Sequence, residues 1–244
     1  MGAADADRRA GADRRHAGGR GRQRPGAQRR PGPRPPARRR RRPRPMIALE
    51  QCATLVLAAG ASRRFGADNK LLAEIEGRPM VEHILMRIAA LPFAQRLAVV
   101  DDLEGPVAGI ARRHGITPVL SPDAATGMGA SLAAGAKALG SESAAVFVLL
   151  GDMPFVPAAI FAALAARLED PVSIARPRTP QGPGHPVLFA RRHFSALAGL
   201  EGDSGAGAVI AAHRDHLDWV DTTETGCIAD FDTTAALAAW RGSV

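Results

Sequence analysis

The chain contains no tyrosine, and only eight phenylalanines and two tryptophans. It is therefore poor in the flat rings on which single-stranded bases stack, and base recognition of that kind is not expected. It has two cysteines, Cys52 and Cys227. Two supply neither a disulfide framework nor the paired spacing of a structural zinc site, and they point to a reducing, cytoplasmic setting. No apolar run approaches the ~18 residues that a membrane-spanning helix needs. Two familiar phosphate motifs are missing as well. A P-loop needs Lys-Ser or Lys-Thr straight after its second glycine. Here Gly66 is followed by Ala67 and Asp68, and Lys70 by Leu71. The three-glycine dinucleotide fingerprint fails twice. Ser62 stands where the second glycine should follow Gly60, and Leu132 stands at the third position after Gly127 and Gly129. Both failures argue against a nicotinamide-dependent reductase.

Charge is present but unevenly placed. Residues 1–45 hold 16 Arg and 3 Asp, a net +13 in a chain whose total is +8, so residues 46–244 carry −5. The first 45 residues contain no Ile, Leu, Val, Phe or Trp. Such a segment has no apolar area to offset chain entropy, so it is expected to be disordered. It lacks the apolar stretch of a secretory signal. Met46 stands immediately before the first patterned segment, and a tail of Arg, Pro, Gly and Ala has the composition of translated non-coding sequence. The expected division is a disordered Arg- and Pro-rich tail, 1–45, that reads as not natively translated, and a folded domain, 46–244. Binding of nucleic acid by the tail is not expected.

From Met46 short apolar runs alternate with helical stretches. Strands are expected at 53–59, 96–101, 117–121, 144–150, 172–175, 185–189 and 217–220. Helices are expected from Pro79 to about residue 91 and at 106–114, 130–139, 157–168, 191–198, 206–213 and 233–240. That rhythm predicts an α/β fold, a mostly parallel doubly wound sheet between two helical layers. The later elements should add an antiparallel strand and a lid.

In open sheets of this kind, ligands gather beyond the carboxyl ends of the strands, at the point where strand order reverses. The unusual residues of this chain fall there. The first strand empties into Gly60, followed by Ser62, Arg63, Arg64, Gly66 and Lys70. Small residues let backbone N–H groups approach an anion, and the cations supply countercharge. The most apolar strand stops at Gly151-Asp152-Met153-Pro154. A carboxylate there is costly unless it is solvated, hydrogen-bonded or metal-bound, and Mg²⁺ favours one or two carboxylates plus substrate phosphates. A second carboxylate is expected from Asp232 rather than Asp230, although Asp232 could equally cap the closing helix. Gly127, Gly129 and Ser131 open a helix that could meet a base or ribose. His185, beside Pro186, reads equally as structural or functional.

With these residues in view, the chain resembles the MobA-like nucleotidyltransferase family and is most similar to its molybdenum cofactor cytidylyltransferase branch. The likeness rests on LAAGASRRFG with NKLL, and on GMGASL, GDMP, GHPVLF, GDSGA and DFDT, and it covers nearly all of 52–240. It implies a three-layer, Rossmann-like sheet of nucleotide-diphospho-sugar transferase type. It implies transfer of CMP from CTP to molybdenum-bearing molybdopterin, with Mg²⁺, pyrophosphate released, and a molybdenum hydroxylase apo-enzyme as a partner for the product. Carried over by motif, Ala58, Ala59, Gly60 and Arg64 would hold the nucleotide, joined by Gly127 and Ser131. Lys70 and Arg64 would serve catalysis. Asp152 and Asp232 would hold Mg²⁺, and Gly184 and His185 would lie toward the acceptor. Gly207 stands where the family often has Arg, and the trailing acids after Asp232 are absent. The competing readings are transfer to another phosphorylated acceptor, a non-catalytic accessory protein, and an NAD(P)H-dependent reductase.

Overall fold

The computed structural model describes residues 47–60, 69–168, 174–229 and Phe231. The Arg-rich tail and the expected helix at 233–240 lie outside them. In chain order the elements are β1 (Cys52–Leu57), β2 (Glu74–Ile75), β3 (Arg78–Pro79), α1 (Met80–Ala89), β4 (Gln95–Val100), α2 (Pro106–Arg113), β5 (Thr117–Leu120), α3 (Met128–Lys137), β6 (Ala145–Leu150) and α4 (Ala158–Ala165). They continue with β7 (Ile174–Thr179), β8 (Gly182–Pro183), β9 (Val187–Ala190), α5 (Phe194–Ala198), α6 (Ala206–Ala212) and β10 (Leu217–Asp221).

The main sheet runs β10-β7-β9-β6-β1-β4-β5, with β8 attached to β7. β1 is buried along its whole length and pairs in parallel with β4 and β6. A run of Cys, Ala, Thr, Leu and Val with no polar alternation suits a strand covered on both faces. One face packs under Ile84, Leu85 and Ile88 of α1, Val107 and Ala111 of α2, and Phe161 and Leu164 of α4. Phe93, Phe147 and Phe161 meet edge-on there, with centroids 5.2–5.5 Å apart. The other face packs under Leu132 and Ala136 of α3, Leu197 of α5 and Val209 of α6. The result is the three-layer α/β/α arrangement expected from the sequence. β9 is the antiparallel strand, running against both β6 and β7, and α5 and α6 complete the α3 layer.

Two segments differ from expectation. The strand expected at 172–175 extends to Thr179 and runs through Pro177. β9 pairs only with Ile174 and Ala175, so Pro177 lies past the doubly paired part of the strand, where proline is tolerated. The strand expected at 185–189 starts only at Val187, after a cis His185–Pro186 peptide. The small β2–β3 hairpin was not legible in the sequence. Its Glu76-Gly77 turn has φ of 52° and 76°, the left-handed pair that a type I′ hairpin turn requires.

Among the described residues no helix is long and apolar enough to cross a membrane. Thr54 is an oddity of the core. Its Oγ1 is sealed inside β1 with no hydrogen-bond partner. Thr54→Val should therefore raise stability by about 1 kcal/mol, because an unsatisfied hydroxyl is exchanged for a methyl group of the same shape. For a domain of this size that is roughly 2–4 °C in a thermal melt. An unchanged or lower Tm would show that the hydroxyl is satisfied in solution.

Candidate active site

Strand order places a switch point at the carboxyl ends of β1 and β6. The chain moves outward from β1 to β4 and β5, then returns to add β6 on the other side. The ladder continues one residue past each strand. Ala58 N donates to Val99 O at 2.9 Å, and Gly151 N donates to Leu57 O at 2.9 Å. This sets Ala58-Ala59-Gly60 beside Gly151-Asp152. Gly60, at φ 120°, turns the chain away in a backbone conformation that other residues rarely adopt.

Lys70 opens a 3₁₀ turn, Lys70–Leu72, held by Asn69, whose Oδ1 accepts from Leu71 N at 3.0 Å. Leu71 is buried, and Lys70 extends to the end of β6. There its Nζ lies 2.6 Å from Asp152 Oδ2, with the two side chains only 17% and 18% exposed. Asp152 Oδ1 is buried and has no hydrogen-bond partner. The carboxylate thus spends one oxygen on an ammonium and leaves the other uncommitted.

That orphaned hard oxygen fits a divalent cation that prefers oxygen ligands. Among the described residues no group of three or more His, Cys, Asp or Glu could hold a metal. A cation here would need further ligands from outside that set. Arg64, Asp230 and Asp232 lie outside the described residues. Phe231, immediately before Asp232, is buried, and its ring meets that of Phe155 at 5.6 Å and 87°. Phe155 is three residues past Asp152, so Phe231 rests against the same loop.

Gly184 and His185 are held by the turn Thr225–Cys227. His185 N donates to Cys227 O at 2.7 Å, and a Cβ on Gly184 would come within 2.6 Å of that oxygen. The His185 imidazole has its pKa pushed down to about 4, first by burial and then by the charge of Arg176, against the opposing pull of the Val148 backbone and Asp152. It is neutral at physiological pH, with Nδ1 buried and unpartnered. Arg176 was missed by sequence reasoning, because the Pro- and Gly-rich stretch around it reads as a loop. Period-two alternation from buried Ile174 is the signal that could have found it.

The other candidates are placed elsewhere. Gly129 N donates to Gly202 O at 2.8 Å, and a Cβ there would press on the carbonyls of Glu201, Gly202 and Ser204 at 2.7–2.8 Å. A Cβ on Gly127 would strike Asp203 and Gly202. Close approach of that loop already requires both glycines. Ser131 is buried, and its Oγ accepts from Ser121 Oγ at 3.3 Å, so its hydroxyl is turned into the fold. No hydrogen bond ties these three to the Lys70–Asp152 pair among the described residues.

Residues 54–217 match the MobA-like NTP transferase domain. The chain is 36% identical over 121 residues to the bifunctional protein GlmU of Sphingopyxis alaskensis, covering 48% of this chain and 26% of that protein. It is 31% identical over 100 residues to the molybdenum cofactor guanylyltransferase of Pseudomonas putida, covering 32% of this chain and 52% of that protein. The chain thus spans about a quarter to a half of the curated relatives it matches. Among solved structures, it is similar to the homologue of Mycobacterium tuberculosis Rv0371c from Mycobacterium sp. strain JC1. That match has 25% identity and a TM-score of 0.68, covering 80% of this chain and 96% of the other.

Proposed function

The chain belongs to the MobA-like NTP transferase domain family, and on that premise we propose that it moves CMP from CTP to the phosphate of molybdenum-bearing molybdopterin, releasing pyrophosphate. The observation that carries this reading is the Lys70–Asp152 pair at the switch point, 2.6 Å apart, with Asp152 Oδ1 uncommitted. A cation for phosphate and a carboxylate for a metal stand together where the fold gathers ligands. The likeness to a molybdenum cofactor guanylyltransferase supports the acceptor. The choice of cytosine rests on the Ala58-Ala59-Gly60 turn, which resembles cytidylyl-type members. The catalytic unit is residues 46–244, and the Arg-rich tail is dispensable. A molybdenum hydroxylase apo-enzyme would receive the product.

The chemistry needs no covalent enzyme intermediate. A phosphate oxygen of the acceptor, already anionic, attacks the α-phosphorus of CTP in line. A new P–O bond forms as the bond to pyrophosphate breaks, and its electron pair leaves with the pyrophosphate. Catalysis is alignment plus neutralisation of charge. Asp152, with Asp232, would hold Mg²⁺, which when bound supplies Lewis-acid charge at the phosphate oxygens. Lys70 moves from Asp152 to the α-phosphate, and Arg64 stabilises developing charge. Gly184 and His185 line the acceptor side, where a neutral imidazole can accept or donate one hydrogen bond.

The test is thermal stabilisation of residues 46–244 by CTP, GTP, ATP and NADPH, with and without Mg²⁺. A ligand at about 100 times its Kd should add roughly 2.7 kcal/mol. CTP-selective, Mg²⁺-enhanced stabilisation supports the proposal. Preference for GTP or ATP changes the donor and reopens the acceptor, a sugar phosphate included. A response to NADPH alone overturns transfer. Lys70→Ala should lower kcat about 10²-fold or more while changing CTP affinity much less, as expected for a group acting on transition-state charge. A variant that loses only affinity would make Lys70 a ground-state anchor.

A further inference from the structure

Arg176 sits on β7 two residues past buried Ile174, on the same sheet face. It is half-buried, and its Nε donates to Gly184 O at 2.8 Å. Other arginines of the sheet and its edges are committed. Arg96 gives its guanidinium to the Ile88 and Leu91 carbonyls, and Arg191 gives its own to those of Ser141 and Ser143. Arg178, two residues on, forms a bidentate pair with Asp221. Among the described residues, the two terminal NH₂ groups of Arg176 have no hydrogen-bond partner, and no carboxylate lies within ion-pair distance of them. Burial lowers the pKa of this guanidinium, yet an arginine stays charged at any physiological pH. A half-buried cation without a countercharge is costly unless an anion comes to it.

The position says which anion. Gly184, whose carbonyl fixes Nε, directly precedes His185. The charges of Arg176 and Asp152 both act on the His185 ring, in opposite senses. Arg176 is thus tied to the switch-point loop through Gly184 and His185. With Nε held, the planar guanidinium presents its terminal N–H groups as a fixed fork, which matches two oxygens of a phosphate group.

We propose that Arg176 binds the phosphate monoester of the acceptor and presents it for attack, with the neutral His185 beside it. This rests on the proposed transfer to a phosphorylated acceptor, and it assigns that acceptor's charge to one residue. The requirement is for a phosphate dianion on the acceptor, whatever its ring system.

The experiment uses the full chain saturated with CTP and Mg²⁺, melted against increasing inorganic phosphate at constant ionic strength. Wild type should show a saturable rise in Tm. Arg176→Gln should weaken phosphate binding tenfold or more and leave CTP binding within twofold of wild type, and Arg176→Lys should recover part of the loss. A phosphate response that survives Arg176→Gln, or is absent from wild type, overturns the inference and leaves the transfer reading standing. A lower Tm in Arg176→Gln with an unchanged phosphate response also overturns it, and makes Arg176 a brace for the Gly184 carbonyl. A wild type that ignores every nucleotide yet binds phosphate through Arg176 overturns the transfer reading and leaves the anion site standing.

Discussion

An Asp152→Asn enzyme is expected to lose about 10³-fold or more in turnover while binding metal-free CTP more tightly than wild type. The first half follows from the role proposed for the carboxylate. An amide oxygen carries no net charge and holds a hard divalent cation poorly, and the charge the metal supplies to the transferring phosphate goes with it. The second half follows from the 2.6 Å contact between Lys70 Nζ and Asp152 Oδ2. Without metal, a triphosphate entering the wild-type site competes with Asp152 for the Lys70 ammonium. It also meets the repulsion of a mostly enclosed carboxylate. Removing that one negative charge lifts both penalties. A threefold or greater gain in metal-free affinity is a modest share, under about 1 kcal/mol, of what a close pair at low exposure is worth. The Mg²⁺ enhancement of CTP binding should collapse toward one in the same variant. Calorimetric titration with CTP, with and without Mg²⁺, measures both effects. Near-normal turnover at saturating Mg²⁺, or an undiminished Mg²⁺ enhancement, would remove Asp152 from the metal site.

That pair also shows what a sequence can and cannot disclose. Lys70 stands out for its place in a small basic loop, and Asp152 for ending the most apolar strand, so each is visible on its own. Their contact is not. They are 82 residues apart, and they meet only because β1 and β6 are neighbours in register, Leu57 opposite Leu150. Strand order is a property of tertiary packing. The buried strands themselves were legible, because β1, the Leu97–Val100 part of β4 and β6 are dominated by apolar residues and are bounded by polar or glycine punctuation. β7 was legible only as far as Ala175, because Pro177 and the glycines after it signal a loop while the sheet accepts Pro177 beyond its doubly paired part. Arg176 fell just past the legible part. The Gly127 and Gly129 segment was visible as special, but the sequence could not say that the carbonyls of Glu201, Gly202 and Ser204 lie close against it.

Gly226 gives the largest expected change in stability, and it joins the fold to the site. A Cβ at Gly226 would run into the carbonyl oxygen of Phe155. The obstacle is backbone, so no side chain can rotate away, and the turn or the loop after β6 must move. Gly226→Ala should therefore cost about 3 kcal/mol, the upper end of what overpacking costs, or roughly 6–12 °C in Tm for a domain of this size. Gly207→Ala is the matched control. Nothing lies within 4 Å of a Cβ there, and Gly207 is inside α6. That substitution should gain about 0.5–1 kcal/mol from helix entropy alone. The two substitutions should differ in activity as well. The turn Thr225–Cys227 holds His185 through the Cys227 carbonyl and leads on to Phe231, which rests on Phe155. Pushing that turn away shifts His185 and the Phe155–Phe231 contact together, so Gly226→Ala should lower turnover well below the temperature at which it melts. Gly207→Ala should leave turnover unchanged. A Gly226→Ala protein with wild-type Tm and activity would mean that the Phe155 carbonyl can yield at little cost, and that the turn does not set the geometry of the site.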